Sequence, residues 1–173
     1  DSFGWSVAIT DTYAIVGAIS EKDASGNPIG YSSGKAYIFN VSTGALLHTL
    51  DNPNPYDLGN GDQFGYSVAI TDTYAIVAAS GEDDSGGTGS GKAYIFNVST
   101  GALLHTLDNP NAYGTSANDA VGVRVSISGN DAVVGACYEV DAGGTDSGKA
   151  YSFTGTTGGR VQHRRDRNAY GSS

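Results

Sequence analysis

Three pairs of acidic residues recur at equivalent places along the chain and could act together as metal ligands. Each pair has carboxylates at positions i and i+2 in a loop rich in small residues: Glu21 with Asp23, Glu82 with Asp84, and Glu139 with Asp141. Such carboxylates can converge with backbone carbonyls on a hard cation such as calcium, which takes six to eight oxygen ligands. Acidic loops also keep a protein soluble, so calcium binding and simple solvation remain as alternatives.

Residues capable of acid, base or nucleophilic catalysis are few. His48 and His105 recur at one position, but Gln162 takes their place in the last third of the chain. Neither histidine has an obvious nucleophile or a fixed carboxylate partner, which a hydrolytic triad needs. Cys137 is the only cysteine, so an intramolecular disulfide and a cysteine zinc cluster are excluded, and we expect a small buried thiol. The sequence therefore predicts that the protein is not an enzyme.

Charge separates the end of the chain from the rest. The 9 basic and 18 acidic residues give a net charge of −9, which argues against nucleic acid as a partner. Four arginines cluster near the end: Arg160, Arg164, Arg165 and Arg167. They could form an assembly contact with acidic loops of a neighbouring subunit, blunt the edge of a modified last repeat, form a heparin-like or nucleic-acid patch, or lie in a solvated terminus. No apolar stretch approaches the roughly 20 residues of a membrane helix, so no membrane insertion is expected.

Two acceptor motifs for N-linked glycans occupy matching positions. Asn40 and Asn97 each begin an N-V-S sequence, whereas Thr154 stands at the third equivalent position. Glycans there would project at regular intervals. The alternative is that asparagine suits the first position of a turn.

These residues repeat because the chain itself repeats. DSFGWSVAI at its start returns as DQFGYSVAI and again as DAVGVRVSI, with spacings of 61 and 57 residues. The segment GKAYIFN occurs twice and becomes GKAYSFT in the third unit. Self-similarity at a fixed period indicates a repeat architecture. We assign three repeats: 1–61, 62–118 and 119–173.

Each repeat has the pattern of four strands. In the first strand Phe3, Trp5, Val7 and Ile9 alternate with small residues, which places all the bulk on one face and predicts a strand suited to a core. An apolar run, the KAYIFN segment and an ALLHTL segment supply three further strands separated by turn residues. Four antiparallel strands in about 57 residues is the size of a propeller blade.

The pairs FGWSVAI with YAIVGA and FGYSVAI with YAIVAA, together with the GKAYIF strand, resemble the FG-GAP repeat family. Repeats of that family form the blades of integrin-type β-propellers and of many bacterial and archaeal surface proteins. The resemblance covers all three units, although Val121 and Gly122 replace Phe-Gly in the third. It implies an extracellular or cell-surface location. It also implies calcium binding through a longer D-x-D-x-D-G loop, which none of the three loops contains.

The fold class that follows is all-β, with three tandem four-stranded antiparallel blades of the propeller type. Propellers close with four to eight blades, so three blades are incomplete as a ring unless they assemble or belong to a longer chain. We therefore expect a homo-oligomer, for example a six-bladed ring from two copies, or a fibre in which head-to-tail contacts do not close.

Besides an enzyme, which the resemblance permits but for which no acid/base pair can be named, two functional hypotheses remain. The first is a non-catalytic extracellular structural or adhesive module that self-associates through exposed blade faces. The second is a propeller that binds a glycan or a surface protein, with loop aromatics Tyr31, Tyr56 and Tyr113 as stacking surfaces and calcium as a cofactor.

Overall fold

The computed structural model describes residues 1–22, 33–53, 61–83, 88–110, 118–139 and 148–154, and the backbone of 159–165. Throughout this part of the chain the regular secondary structure is β, arranged as three separate four-stranded antiparallel sheets. No helix in the described part is long and apolar enough to cross a membrane. The expected fold class is confirmed, and each sheet lies within one of the three repeats.

Consecutive strands are neighbours within every sheet. Blade 1 consists of β1 (Phe3–Ile9), β2 (Tyr13–Ala18), β3 (Lys35–Asn40) and β4 (Leu46–Asp51). Blade 2 consists of β5 (Phe64–Ile70), β6 (Tyr74–Ala79), β7 (Lys92–Asn97) and β8 (Leu103–Leu107). Blade 3 consists of β9 (Val121–Ser128), β10 (Asp131–Ala136), β11 (Lys149–Thr154) and β12 (Gly159–Arg165).

The glycine of the Phe-Gly pair in blade 2 allows β5 to approach blade 1 closely. Gly65 has a φ of 91°, and a β-carbon there would lie 2.5 Å from the carbonyl oxygen of Lys35. A β-carbon at Gly17 would in turn lie 2.1 Å from the carbonyl oxygen of Gly65. Because backbone cannot yield at such distances, the close approach of β5 to β2 requires glycine at both positions.

Two hydrophobic cores lie between the blades. The first joins Ile15, Ala36, Ile38 and Leu50 of blade 1 to a set in blade 2 that includes Phe64, Val68, Ile70, Tyr94 and Phe96. The second joins the opposite face of blade 2 to blade 3, through residues that include Ile76, Ile95, Leu107, Val121, Val134, Tyr151 and Phe153. Burial therefore depends on stacking, as is usual for repeat proteins in which one unit cannot cover its own apolar faces.

The prediction that Phe3, Trp5, Val7 and Ile9 lie in a core is wrong for β1, where their exposed fractions are 59%, 53%, 68% and 69%. In blade 2 the prediction holds for the equivalents of Phe3, Val7 and Ile9. The physical reason is that, within the described residues, no preceding blade packs on this side of blade 1. The alternation of bulky and small residues fixed which face is apolar, and the neighbouring blade decides whether that face is buried.

Candidate functional site

The most distinctive surface of the molecule is the apolar side of blade 1 that faces away from blade 2, which we call the leading face. It carries Phe3, Val7 and Ile9 of β1, and the Phe3 ring packs on Tyr37 at 5.5 Å and on Phe39 at 6.4 Å between centroids. Its side chains therefore hold a defined packing arrangement before anything covers them.

Blade 2 shows what this face looks like when covered. Phe64, Val68 and Ile70 hold the equivalent positions, and only 0%, 7% and 8% of their surfaces are exposed. The Phe64 ring packs on Tyr94 and Phe96 at 5.8 Å and 6.1 Å, which closely matches the Phe3 cluster. The leading face thus has the composition and geometry of a blade interface without its partner.

The opposite end of the array, the trailing face of blade 3, is more polar than its counterparts. Ser152 occupies the position at which blades 1 and 2 have the buried residues Ile38 and Ile95. Arg164 is the register partner of Ala150, where leucine pairs with the corresponding alanine in the other two blades. Val133 on this face is 48% exposed. The two ends of the molecule therefore differ in character.

Buried acids link the blades on one side of the junctions. Asn52, which follows β4, donates from its side chain to Asp62 at 2.8 Å, and Asn109 donates to Asp119 at 2.7 Å in the next junction. Burial raises the pKa of Asp62 to about 7, and the nearby carboxylates of Glu82 and Asp83 add to the rise. The Asn52 hydrogen bond and Lys92 oppose it. The D-x-F-G and D-N-P-N segments of the repeat thus meet as one inter-blade contact.

The glutamates of the acidic loops lie beside these contacts and bind side chains of the GKAY strand. Glu82 accepts a hydrogen bond from the Tyr94 hydroxyl at 2.7 Å, and Lys92 Nζ lies 3.2 Å from its Oε1. Burial raises the pKa of Glu82. The pKa of Tyr94 is also raised, first by burial and then by the neighbouring charge of Glu82. In blades 2 and 3 the lysine and tyrosine of the GKAY strand satisfy a buried carboxylate.

The same arrangement recurs in the other blades. Glu139 pairs with Lys149 at 2.7 Å and accepts a hydrogen bond from Tyr151, while Glu21 accepts one from Tyr37. In blade 1 the lysine differs, since Lys35 pairs with the half-exposed Asp51 at 2.7 Å. The sequence analysis did not predict these networks. A signal for them was present, because the loop glutamate and the tyrosine of GKAY both recur in every repeat.

For the predicted calcium loops the structure describes only one acid of each pair. Glu21, Glu82 and Glu139 are engaged as above, and Asp23, Asp84 and Asp141 lie outside the described residues. In the described part of the chain no three metal-ligating side chains are grouped. Calcium binding stays a prediction.

The two acceptor asparagines lie at the start of matching turns. Asn40 Oδ1 accepts hydrogen bonds from the Ser42 hydroxyl and from the Thr43 amide, at 2.7 and 2.9 Å. Asn97 accepts equivalent bonds. The turn role of asparagine is therefore present at both positions, and glycosylation stays a prediction.

The remaining predicted residues fall on edges or outside the described chain. Arg160, Arg164 and Arg165 belong to the backbone of β12, while Arg167 and the loop tyrosines 31, 56 and 113 lie outside the described residues. His48 and His105 lie on β4 and β8. Cys137 is exposed, so the expectation of a buried thiol is wrong: it follows the end of β10, beyond the inter-blade core.

Comparison with known protein families completes the evidence. The model of the FG-GAP repeat matches three segments of the chain, residues 1–39, 54–96 and 111–153. Each match begins before the first strand of a blade and ends near its third strand. No curated protein matches the sequence.

Proposed function

This chain belongs to the FG-GAP repeat family, and from that premise we propose that it is a non-catalytic structural or adhesive module that associates with its own kind through exposed blade faces. FG-GAP repeats are typical of extracellular and surface proteins, which supports an extracellular or cell-surface location. No pairing of nucleophile and base among the described residues favours a catalytic role instead.

The leading face carries the proposal. Phe3, Val7 and Ile9 are more than half exposed, whereas their equivalents in blade 2 are at least nine-tenths buried by blade 1. Complete burial of a large apolar side chain contributes about 1.5–3 kcal/mol. Covering this face with another blade would therefore stabilise an assembly by several such contributions.

Head-to-tail contact would repeat the stacking that already joins blades within the chain. The leading face of one copy would lie on the trailing face of another, which gives a ring if the rotation closes and a fibre if it does not. The arginines of the last repeat are the residues we propose to contact acidic loops of the neighbouring copy, because they oppose the charge of the rest of the chain.

Sedimentation velocity across a range of concentrations tests the proposal. We expect the native chain to associate and Ile9→Asp to weaken association at least tenfold, since the aspartate would be desolvated in the contact. Leu103→Asp is the matched control, because Leu103 is exposed on the β8 edge. A native chain that remains monomeric at high concentration would refute self-association.

We further propose that the acidic loops take up calcium as the cofactor of this module. A bound ion must stabilise the folded form, so thermal unfolding should shift upward with calcium and return with a chelator. An unchanged melting temperature in millimolar calcium would contradict the proposal.

A glycan-binding or protein-binding propeller is the second candidate function. The observation that favours it is a surface groove lined by residues of β1, β5 and β9, which is described in the next subsection.

A further inference from the structure

A shallow groove crosses the first strands of all three blades. It has a volume of about 340 Å³ and is lined by residues 5–7 of β1, residues 66–68 of β5 and Arg124 of β9. We call it the inner groove. No residue of the groove belongs to the acidic loops or to the last repeat's arginine cluster.

Two aromatic rings form one wall. Trp5 is 53% exposed, and its ring lies 5.8 Å from that of Tyr66 with the two planes tilted by 48°. Exposed aromatic rings of this kind offer rigid apolar surfaces with polar groups at their edges. The C–H face of a pyranose ring is a suitable partner, since it is flat, weakly apolar and ringed by hydroxyls.

Arg124 supplies the charge and departs from the repeat. The equivalent residues are Ser6 and Ser67, whose hydroxyls join adjacent blades by bonding Gly65 O at 2.7 Å and the Val125 amide at 3.1 Å. Arg124 is instead exposed and donates from Nη1 to the carbonyl of Val123 at 2.6 Å. This bond uses only one of the five N–H donors of a guanidinium group, which otherwise suits two-pronged binding of a carboxylate.

The charge and size of the groove indicate which kind of ligand it could bind. Arg124 is the one charged residue among those that line the groove. The chain as a whole is strongly acidic, so a cation at this place stands out against its surroundings. The groove volume of about 340 Å³ leaves space for a ligand about one or two sugar units across.

We propose that the inner groove binds a saccharide that carries a carboxylate, with the pyranose against Trp5 and Tyr66 and the uronate on Arg124. The groove borders the leading face, since Val7 belongs to both, but its proposed contacts Tyr66 and Arg124 lie in blades 2 and 3, so the proposal does not depend on self-association.

Trp5 is the only tryptophan, so its fluorescence reports on the groove directly. The titration uses trigalacturonate, with neutral galactotriose and triglutamate as comparisons. We expect saturable binding of trigalacturonate at least tenfold tighter than of either comparison, because a hydrogen-bonded charge pair adds to ring stacking.

Variants assign the contacts. Arg124→Gln should weaken trigalacturonate about tenfold and leave galactotriose unchanged, while Tyr66→Ala should weaken both sugars. Tyr138→Ala is the matched control, since Tyr138 is exposed and outside the groove. Circular dichroism checks that each variant folds.

Three results would overturn the proposal: no saturable response to trigalacturonate, equal affinity for triglutamate, or an affinity for trigalacturonate that Arg124→Gln leaves unchanged. Ile9→Asp keeps the two proposals distinguishable, because it should weaken association at least tenfold without changing the titration.

Discussion

At the scale of single residues, the junction between blades 1 and 2 contains acids that are unusually reluctant to ionise. Asp62 is buried beside Glu82 and Asp83, and its pKa is raised to about 7. The unfolded chain releases this proton near the ordinary value of 3.8, whereas the folded chain keeps it until pH 7. This group therefore makes the fold less stable as pH rises from about 4 to 7, and its effect is constant above that.

Asp62→Asn should reduce this pH dependence. The asparagine can still accept the hydrogen bond from Asn52 but cannot ionise, so the variant should lose about 1–2 kcal/mol less stability between pH 4.5 and 7.5 than the native chain. Urea unfolding at both pH values measures the difference. Some dependence will remain, because the pKa of Glu82 is raised as well. An unaltered slope in the variant would contradict the assignment.

The two Phe-Gly glycines provide a second test at this scale. Gly4 and Gly65 have nearly the same φ, 87° and 91°, but a β-carbon at Gly4 would meet nothing within 4 Å. Gly4→Ala should cost about 1–2 kcal/mol from backbone strain alone. Gly65→Ala should cost clearly more, because its β-carbon would clash with the Lys35 carbonyl. Denaturant unfolding measures both losses of unfolding free energy. Equal losses for the two variants would show that close approach of the backbone is not the reason for glycine at position 65.

At the scale of elements, two strands that differ at one residue, β1 and β5, behave differently because their neighbours differ. β1 and β5 share the F-G-aromatic-S-V-A-I pattern, yet one is open and the other buried. The residue pattern of a strand determines which of its faces is apolar. Packing against a neighbouring blade then determines how much that face stabilises the fold.

Phe3→Ala and Phe64→Ala form a matched pair that measures this difference. Phe64→Ala should cost about 3–5 kcal/mol, as removal of a buried phenylalanine does, because a cavity opens between blades 1 and 2. Phe3→Ala should cost about 1 kcal/mol or less at low protein concentration. Thermal and chemical unfolding compare the two. Similar losses at low concentration would mean that the leading face is already covered.

At the scale of the whole molecule, the array is asymmetric. Its leading face is apolar, while on the trailing side Ser152 and the register position held by Arg164 correspond to aliphatic residues in the other blades. Head-to-tail assembly would therefore be weaker than stacking between blades within the chain.

Ser152→Ile should strengthen head-to-tail assembly. It restores the residue that blades 1 and 2 place at the interface, and we expect association to tighten about fivefold through added apolar burial. Sedimentation velocity measures the shift, and Ser42→Ile on an exposed turn is the control. Unchanged association would indicate that the trailing face takes no part, and that copies meet through their leading faces instead.

The sequence alone determined the number of blades, their four strands and the apolar face of each, because these depend on local periodicity and on the repeat itself. The sequence also located the acidic loops. It did not show that Glu82 and Glu139 lie buried and accept hydrogen bonds from Tyr94 and Tyr151. Only the tertiary structure decided that, and only it brought Trp5, Tyr66 and Arg124 of three separate repeats into one groove. The reason is that both outcomes depend on how neighbouring blades stack, and exposure is a property of the neighbour that local pattern does not contain.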